Sequence, residues 1–300
     1  MDESDPEPII AVSDFTVEGV DRLGHRGLWL RNVSLSIKAG EIVVFGGESG
    51  SGKSLLCEYI SGISRRRFRV ISGQVEVAGE DTMKNRAARL IPRVTYIGRD
   101  SVSGFNPHHT VERSLREFTR LLARTTKRSD RVDWNEAFYA VGIVEPERFL
   151  PLVIEELPSL MLLRLALMRA LLSEAEVIVC EEATASLDRV AEGQFIDLVS
   201  QIREEKGMTF VMGMGRLRNA ERFADRIFVF FEGGILESGN AVELAANPRC
   251  RYTSEFLAAS PRLTHSPRPL SLISAEAIAE AEGIVHGNSD VLSGEKGEAP

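Results

Sequence analysis

The sequence predicts an α/β protein built on a mainly parallel sheet, and three observations predict it. Short apolar runs of strand length alternate with stretches of helical periodicity. A glycine-rich loop joins one of those runs directly to a helix. The composition, 43% hydrophobic and 27% charged over 300 residues, is that of a chain able to bury a core. The same numbers exclude other classes. No run approaches the roughly 18 unbroken apolar residues of a membrane span; the densest, Leu160 to Leu172, is broken by Arg164 and Arg169. The opening Met1-Asp-Glu-Ser-Asp-Pro-Glu is acidic and lacks the basic-then-apolar pattern of a secretory signal. Cys57, Cys180 and Cys250 are too widely spaced for a disulfide framework or a zinc set, which points to the cytosol. A net charge of −8 argues against nucleic acid as a partner.

Taken in order, residues 1–8 form a solvated acidic leader, and strand runs follow at Ile9–Val12, Val33–Ile37 and Ile42–Phe45. A loop and helix begin at Ser49, and further strands lie at Gln74–Val77 and Val94–Ile97. Between Thr110 and Leu150 the apolar positions fall at helical spacing: Leu115, Phe118, Leu121 and Leu122, then Trp134, Phe138 and Val141. A very apolar helix at Leu160–Leu172 precedes a buried strand, Val177–Cys180, and an amphipathic helix around Val190–Ile202. Strands Thr209–Met212 and Arg226–Phe231, with a turn at Gly233-Gly234, complete the unit. The helix-only middle, about 100–172, has the look of an inserted subdomain within a domain spanning 9–261. In the tail, 262–300, one short helix starts at a Ser274 cap, and the Gly/Glu-rich end is expected to be disordered. The basic run Arg65-Arg66-Arg67-Phe68-Arg69 reads as a solvated loop.

The strongest motif is Gly47-Glu48-Ser49-Gly50-Ser51-Gly52-Lys53-Ser54, with a strand before it and a helix after it. Its glycines let the backbone curl so that successive N–H groups point at a phosphate, and the helix N-terminus adds positive potential. Lys53 would reach the β- and γ-phosphates of ATP, and the Ser54 hydroxyl would ligate Mg²⁺. The nucleotide contacts expected are Gly47, Glu48, Ser49, Gly50, Ser51, Gly52, Lys53, Ser54 and Leu55.

A second apolar strand ends in two carboxylates, Val177-Ile-Val-Cys-Glu181-Glu182, followed by Leu187-Asp188. With Ser72-Gly73 to Gly79 upstream, this resembles the nucleotide-binding domain of ATP-binding-cassette (ABC) transporters. Phe105-Asn106-Pro107 and Asn247-Pro-Arg-Cys-Arg-Tyr252-Thr253 resemble the oligopeptide, dipeptide and nickel importer branch. The resemblance covers about Ile9 to Pro261. It implies a P-loop ATPase fold with an N-terminal antiparallel β subdomain and an α-helical insertion. It also implies that two such domains sandwich two ATPs, each ATP touching one P-loop and the Leu-Ser-Gly-Gly signature of the other domain. Carried over by residue, Glu182 is the general base, Glu181 holds the Mg²⁺ shell, and Asp188 lies at the dimer seam.

Four positions depart from the family pattern. Arg99 stands where a glutamine is expected; a guanidinium has only donors, so it can contact a phosphate but cannot ligate a cation. Glu181 replaces an aspartate, displacing the carboxylate by roughly 1–1.5 Å. Leu157-Pro158-Ser159-Leu160 replaces the signature: Pro158 has no N–H, and Leu160 adds a side chain where close backbone approach is needed. Gly215, or Met214 on a one-residue shift, stands at the switch histidine, and neither can bond a γ-phosphate through its side chain. The chain is therefore expected to bind ATP and Mg²⁺ while hydrolysing ATP poorly. Phe15 and Trp29 are the candidates to stack on adenine. The implied setting is the cytoplasmic face of the inner membrane, as a peripheral subunit. Its partners there would be a second, intact ABC ATPase subunit and two membrane-spanning permeases, with an extracytoplasmic solute-binding protein acting indirectly. The alternative is a soluble ATP-binding scaffold like those associated with carbon–phosphorus lyase.

Overall fold

The computed structural model describes residues 7–20, 24–63, 67–84, 93–100, 104–126, 132–217, 219–259 and 273–287. Most of the acidic leader, Arg65, Arg66, His265 and the Gly/Glu-rich end lie outside them. In chain order the elements are β1 (Ile10–Val20), β2 (Arg26–Ile37), β3 (Ile42–Gly46), α1 (Lys53–Ile60), β4 (Phe68–Val77), β5 (Glu80–Asp81) and β6 (Val94–Ile97). Then come α2 (Val111–Thr126), α3 (Trp134–Tyr139), α4 (Ser159–Leu172), β7 (Val177–Glu181) and α5 (Arg189–Lys206). The chain ends with β8 (Thr209–Met214), β9 (Arg226–Phe231), β10 (Gly234–Asn240), α6 (Ala241–Ala246), α7 (Arg251–Ala259) and α8 (Ala275–His286). They fall into two compact units, Met1–Met83 with Val211–Pro300, and Lys84–Phe210.

The first unit holds an antiparallel sheet of order β2-β1-β4-β5, with Ile10 opposite both Ile37 and Val77. β1 buries Ile10, Val12, Phe15 and Val17. The step of three between Val12 and Phe15 coincides with a register shift and with Asp14 at φ 47°. That bulge moves the apolar series from even to odd positions while keeping it on one face. Gly73 lies against it on β4 at φ 78°, where an added Cβ would fall 2.2 Å from the Ser13 carbonyl oxygen. The unit also contains a parallel pair, β3 beside β9, from Val43↔Arg226 to Gly46↔Val229, and β9 turns through Glu232-Gly233 into antiparallel β10. Every residue of β3 is buried, as befits a parallel strand covered on both faces. Phe45 packs edge-on to Phe228 and tilted on Phe230 at centroid distances of 5.8 and 5.2 Å. Phe45→Ala should cost about 3–5 kcal/mol, read as a lower denaturation midpoint without nucleotide.

The second unit has its own parallel pair, β6 beside β7, from Val94↔Val177 to Ile97↔Cys180. Between them the chain is helical apart from one isolated bridge, Thr110↔Val153, in the described residues. The period expected from Trp134 through Val141 stops at Tyr139, because Gly142 at φ 67° turns the chain. α4 buries Leu162, Leu163, Leu165, Leu167 and Met168. α5 is capped by the Asp188 carboxylate, which accepts from Val190 and Ala191 N–H at 2.9 Å, and ends at Gly207 in the left-handed region. Among the described residues no helix is long and apolar enough to cross a membrane.

Candidate functional site

The phosphate loop is assembled within the first unit. Fully buried β3 delivers the chain to Gly47, whose φ of 151° and surroundings exclude a side chain: a Cβ would lie 2.5 Å from the Phe230 carbonyl oxygen and 2.7 Å from Ser51 Oγ. Gly52, at φ 100°, has Leu30 Cδ2 at 2.9 Å and the Trp29 carbonyl at 3.0 Å from its Cβ position. Ser51 N–H donates to the Glu48 carbonyl at 3.2 Å, and Gly233 N–H donates to the Ser51 carbonyl at 3.0 Å, so the β9–β10 turn braces the loop. Lys53 is 1% exposed and its Nζ donates to the Glu48 carbonyl at 3.0 Å. The first intrahelical bond of α1 is Leu56 N–H to Gly52 C=O at 3.0 Å, and no acidic side chain sits in its first turn. Leu55 is buried, so its contribution to an anion is its backbone N–H. Ser54 is half-buried beside it.

Two features show that these residues fit a phosphate group. Ser51 Oγ is buried inside the curl without a hydrogen-bond partner. The loop also combines a buried ammonium with a helix N-terminus. Of the two aromatic candidates, Phe15 is fully buried edge-on to Tyr59 at 5.0 Å and is not available for stacking. Trp29 is half-buried, carries the carbonyl that touches Gly52, and meets Phe68 edge-on at 5.2 Å with the Arg67 guanidinium 5.8 Å from its ring.

The carboxylate pair lies in the second unit. β7 ends at Glu181, 9% exposed, with the Tyr96 hydroxyl 3.5 Å from its Oε2. Glu182 follows at φ 45°, its side chain 17% exposed, and Arg99 Nη1 is 3.3 Å from its Oε2. Thus Arg99 meets the residue that resembles the general base, and does so from an exposed position. Burial alone pushes the Cys180 thiol just before the pair up to about 12, so it stays protonated and inert. Asp188 is engaged as the α5 cap. Among the described residues no cluster of three His, Cys, Asp or Glu side chains could hold a metal by itself. The donors expected for Mg²⁺, Ser54 and Glu181, are both oxygens, which suits that ion.

The positions expected to depart from the family pattern are also placed. Pro158 is exposed and precedes α4, where its carbonyl accepts from Met161 and Leu162 N–H at 2.9 and 3.1 Å. No side chain caps this helix, and Leu160 and Met161 are half-buried. Farther along, Arg169 donates to the Gly104 carbonyl and lies between Phe105 and Phe118, at 4.8 and 4.5 Å from their rings. It borders an open cavity of about 420 Å³ with Tyr96, Gly98 and Asp100. In the first unit β8 runs two residues beyond its expected end, to buried Met214, leaving Gly215 exposed. His286 pairs with Glu232 at 2.9 Å; in the second unit His108 and His109 pair with Glu155 and Glu117 at 3.6 and 3.0 Å. The Glu232-Gly233 brace is a part of the site that no motif in the sequence marks.

Strand, glycine loop and helix define the class first: a P-loop α/β protein. The model of the family described as ABC transporter matches residues 30–185, and the chain belongs to that family. The nickel import ATP-binding protein NikD of Rhodospirillum rubrum is 32% identical, over 78% of this chain and 89% of its own. A putative peptide import ATP-binding protein of Brucella abortus is 30% identical, over 91% of this chain and 83% of its own. The peptidoglycan transport ATP-binding protein YejF of Agrobacterium fabrum is 30% identical over 87% of this chain, which spans 49% of that relative's length. Among solved structures, the ATP-binding cassette MJ0796, a dimer in a post-hydrolysis state with ADP and Pi, is similar at TM-score 0.65. It covers 77% of this chain and 98% of its own at 20% identity. The cbiO1 component of a Clostridium perfringens ABC transporter complex gives 0.64, over 82% and 93% at 20% identity. At such identities these likenesses establish the ABC-cassette fold alone.

Proposed function

We propose that this chain is the ATP-binding subunit of an ABC importer for peptides or a similar small solute. The observation that carries the reading is the formed phosphate loop, with Lys53 buried at its floor and Ser51 Oγ unpartnered inside it. Relatives named for peptide and nickel import support the solute class and the importer direction. The subunit works peripherally at the cytoplasmic face of the inner membrane, beneath two permease subunits that receive solute from an extracytoplasmic binding protein.

Within the site, Lys53 neutralises the β- and γ-phosphates, and the loop amides orient them. Ser54 and, by the family resemblance, Glu181 would each offer Mg²⁺ an oxygen, and the ion would supply charge neutralisation. Glu182 polarises the attacking water as general base, its carboxylate 3.3 Å from the Arg99 guanidinium. Trp29 is the aromatic that stacks on adenine. The Pro158-Ser159-Leu160 helix start offers few phosphate donors to an opposite nucleotide, so a homodimer would impair both of its sites. The partner ATPase is therefore a different chain with an intact signature.

Purification of the tagged chain from detergent-extracted membranes tests this reading. Two membrane-spanning subunits and one non-identical ATPase are expected in fixed ratio. A soluble complex without membrane subunits would select the enzyme-scaffold alternative, and a homodimer beneath the permeases would refute the pairing.

A further inference from the structure

The tail helix α8 is tied to the first unit at both of its ends. At its start the Ser274 amide and hydroxyl donate to the two oxygens of Glu255 on α7, at 2.6 and 2.9 Å, and Arg251 Nε donates to the same carboxylate at 2.9 Å. Ala277, Ala281 and Val285 recur every four residues and so share one helix face. The two alanines have no exposed surface. Val285 lies so close to β10 that a Cβ on Gly234 would fall 2.8 Å from Val285 Cγ1. The His286 ring then reaches the β9–β10 turn, with Nε2 2.9 Å from Glu232 Oε2.

That turn is the one that braces the phosphate loop. It consists of two residues between the paired Phe231 and Gly234, both at positive φ: Glu232 at 43° and Gly233 at 86°. Such turns favour Asn or Asp followed by Gly, and a glutamate in the left-handed region is a costly choice. The turn backbone is held from two sides. The Glu232 and Gly233 carbonyls accept Arg31 Nε–H and N–H at 3.0 and 2.8 Å, and Gly233 N–H donates to the Ser51 carbonyl at 3.0 Å. Gly233 Cα also lies 3.1 Å from where a Cβ on Gly52 would stand. The Glu232 side chain takes no part in these bonds, and it is the group that His286 meets.

We propose that His286 and Glu232 are positioning residues for the nucleotide, through which the tail helix α8 raises the affinity of the phosphate loop. The relay is continuous: α7 holds Ser274, α8 holds Glu232 and Gly234, and the turn holds Ser51 and Gly52. A turn fixed from outside keeps the Ser51 carbonyl anchored, so the loop amides are set for a phosphate before it arrives. A loosened turn leaves that ordering to be done on binding, which lowers affinity without altering any group that touches nucleotide. The effect is reciprocal by linkage, so bound ATP favours docked α8 as much as docked α8 favours ATP.

This inference rests on the phosphate-loop reading, and ATP titration of the full chain together with amide hydrogen exchange separates the two. His286→Ala should weaken ATP about 2- to 5-fold, the range of an exposed ion pair. Glu232→Ala keeps the backbone preference of the turn and should match it, and the double variant should be no weaker than either single. Ala281→Glu puts a carboxylate into the packed face, undocks α8 and should weaken ATP by about 5-fold or more. Glu282→Ala, on the exposed side of the same helix, should leave affinity unchanged. Without nucleotide, the Gly233 amide should exchange faster in His286→Ala and in Ala281→Glu. In the unmodified chain, ATP should slow exchange across Ala275–His286. A helix with a purely structural role would lower the melting temperature of Ala281→Glu while ATP affinity and Gly233 exchange stayed as they were, and that result overturns the inference. So does additivity of the two single losses. An unmodified chain that binds no ATP overturns the phosphate-loop reading as well.

Discussion

Lys53→Ala should lower ATP affinity by about 100-fold or more while leaving the nucleotide-free fold intact. The ammonium is 1% exposed and bonded to the Glu48 carbonyl, so it is already desolvated and aimed before a ligand arrives. A charge-assisted bond in such a setting is worth about 1.5–3 kcal/mol, and two phosphates share this one cation. In the free protein the balance differs, because deleting a buried cation also removes its desolvation cost. The apo melting temperature should therefore move little. Lys53→Arg should not restore binding, since the planar guanidinium is larger than the site formed around a compact ammonium. Calorimetric titration with ATP, beside thermal melts without it, reads both effects. Unchanged affinity in Lys53→Ala would refute the phosphate-loop assignment.

That site was legible because it is local. A strand, eight residues of fixed spacing and a helix start are consecutive in the chain, and glycines at 47 and 52 are required by backbone atoms within 3.0 Å of their Cβ positions. The Ser274 cap was legible for the same reason, and its hydroxyl accepts Ala277 N–H at 3.2 Å. The N-terminal sheet was legible only in pieces. β1 and β2 run to 11 and 12 residues, but the bulge at Asp14 breaks the alternation that marks a strand, so only Ile9–Val12 and Val33–Ile37 stood out. The Glu232-Gly233 brace escaped because it comes to the loop from about 180 residues away through packing that no local pattern encodes. The inward turn of Phe15 against Tyr59 likewise depends on the bulge.

The purified, partner-free chain should hydrolyse ATP slower than an intact cassette by a factor on the order of 10²–10⁴. Three defects act together. Arg99 sits 3.3 Å from Glu182 in place of a side chain with an oxygen to offer, so the carboxylate proposed as general base already faces a cation. The start of α4 carries Pro158 and half-buried Leu160, where an opposite nucleotide would need N–H and hydroxyl donors. The end of β8 presents buried Met214 and exposed Gly215, neither able to contact a γ-phosphate through its side chain. Groups that work as a unit are non-additive, so repairing one should recover little. Gly215→His alone should stay near the starting rate, and Arg99→Gln alone should do the same. Glu182→Gln should scarcely lower a rate that is already low, although in an intact cassette it would remove the main turnover. Phosphate release at saturating ATP and Mg²⁺ measures all four proteins. A robust basal rate in the unmodified chain that falls sharply in Glu182→Gln would show that Glu182 is a working base, and the degenerate reading would fail.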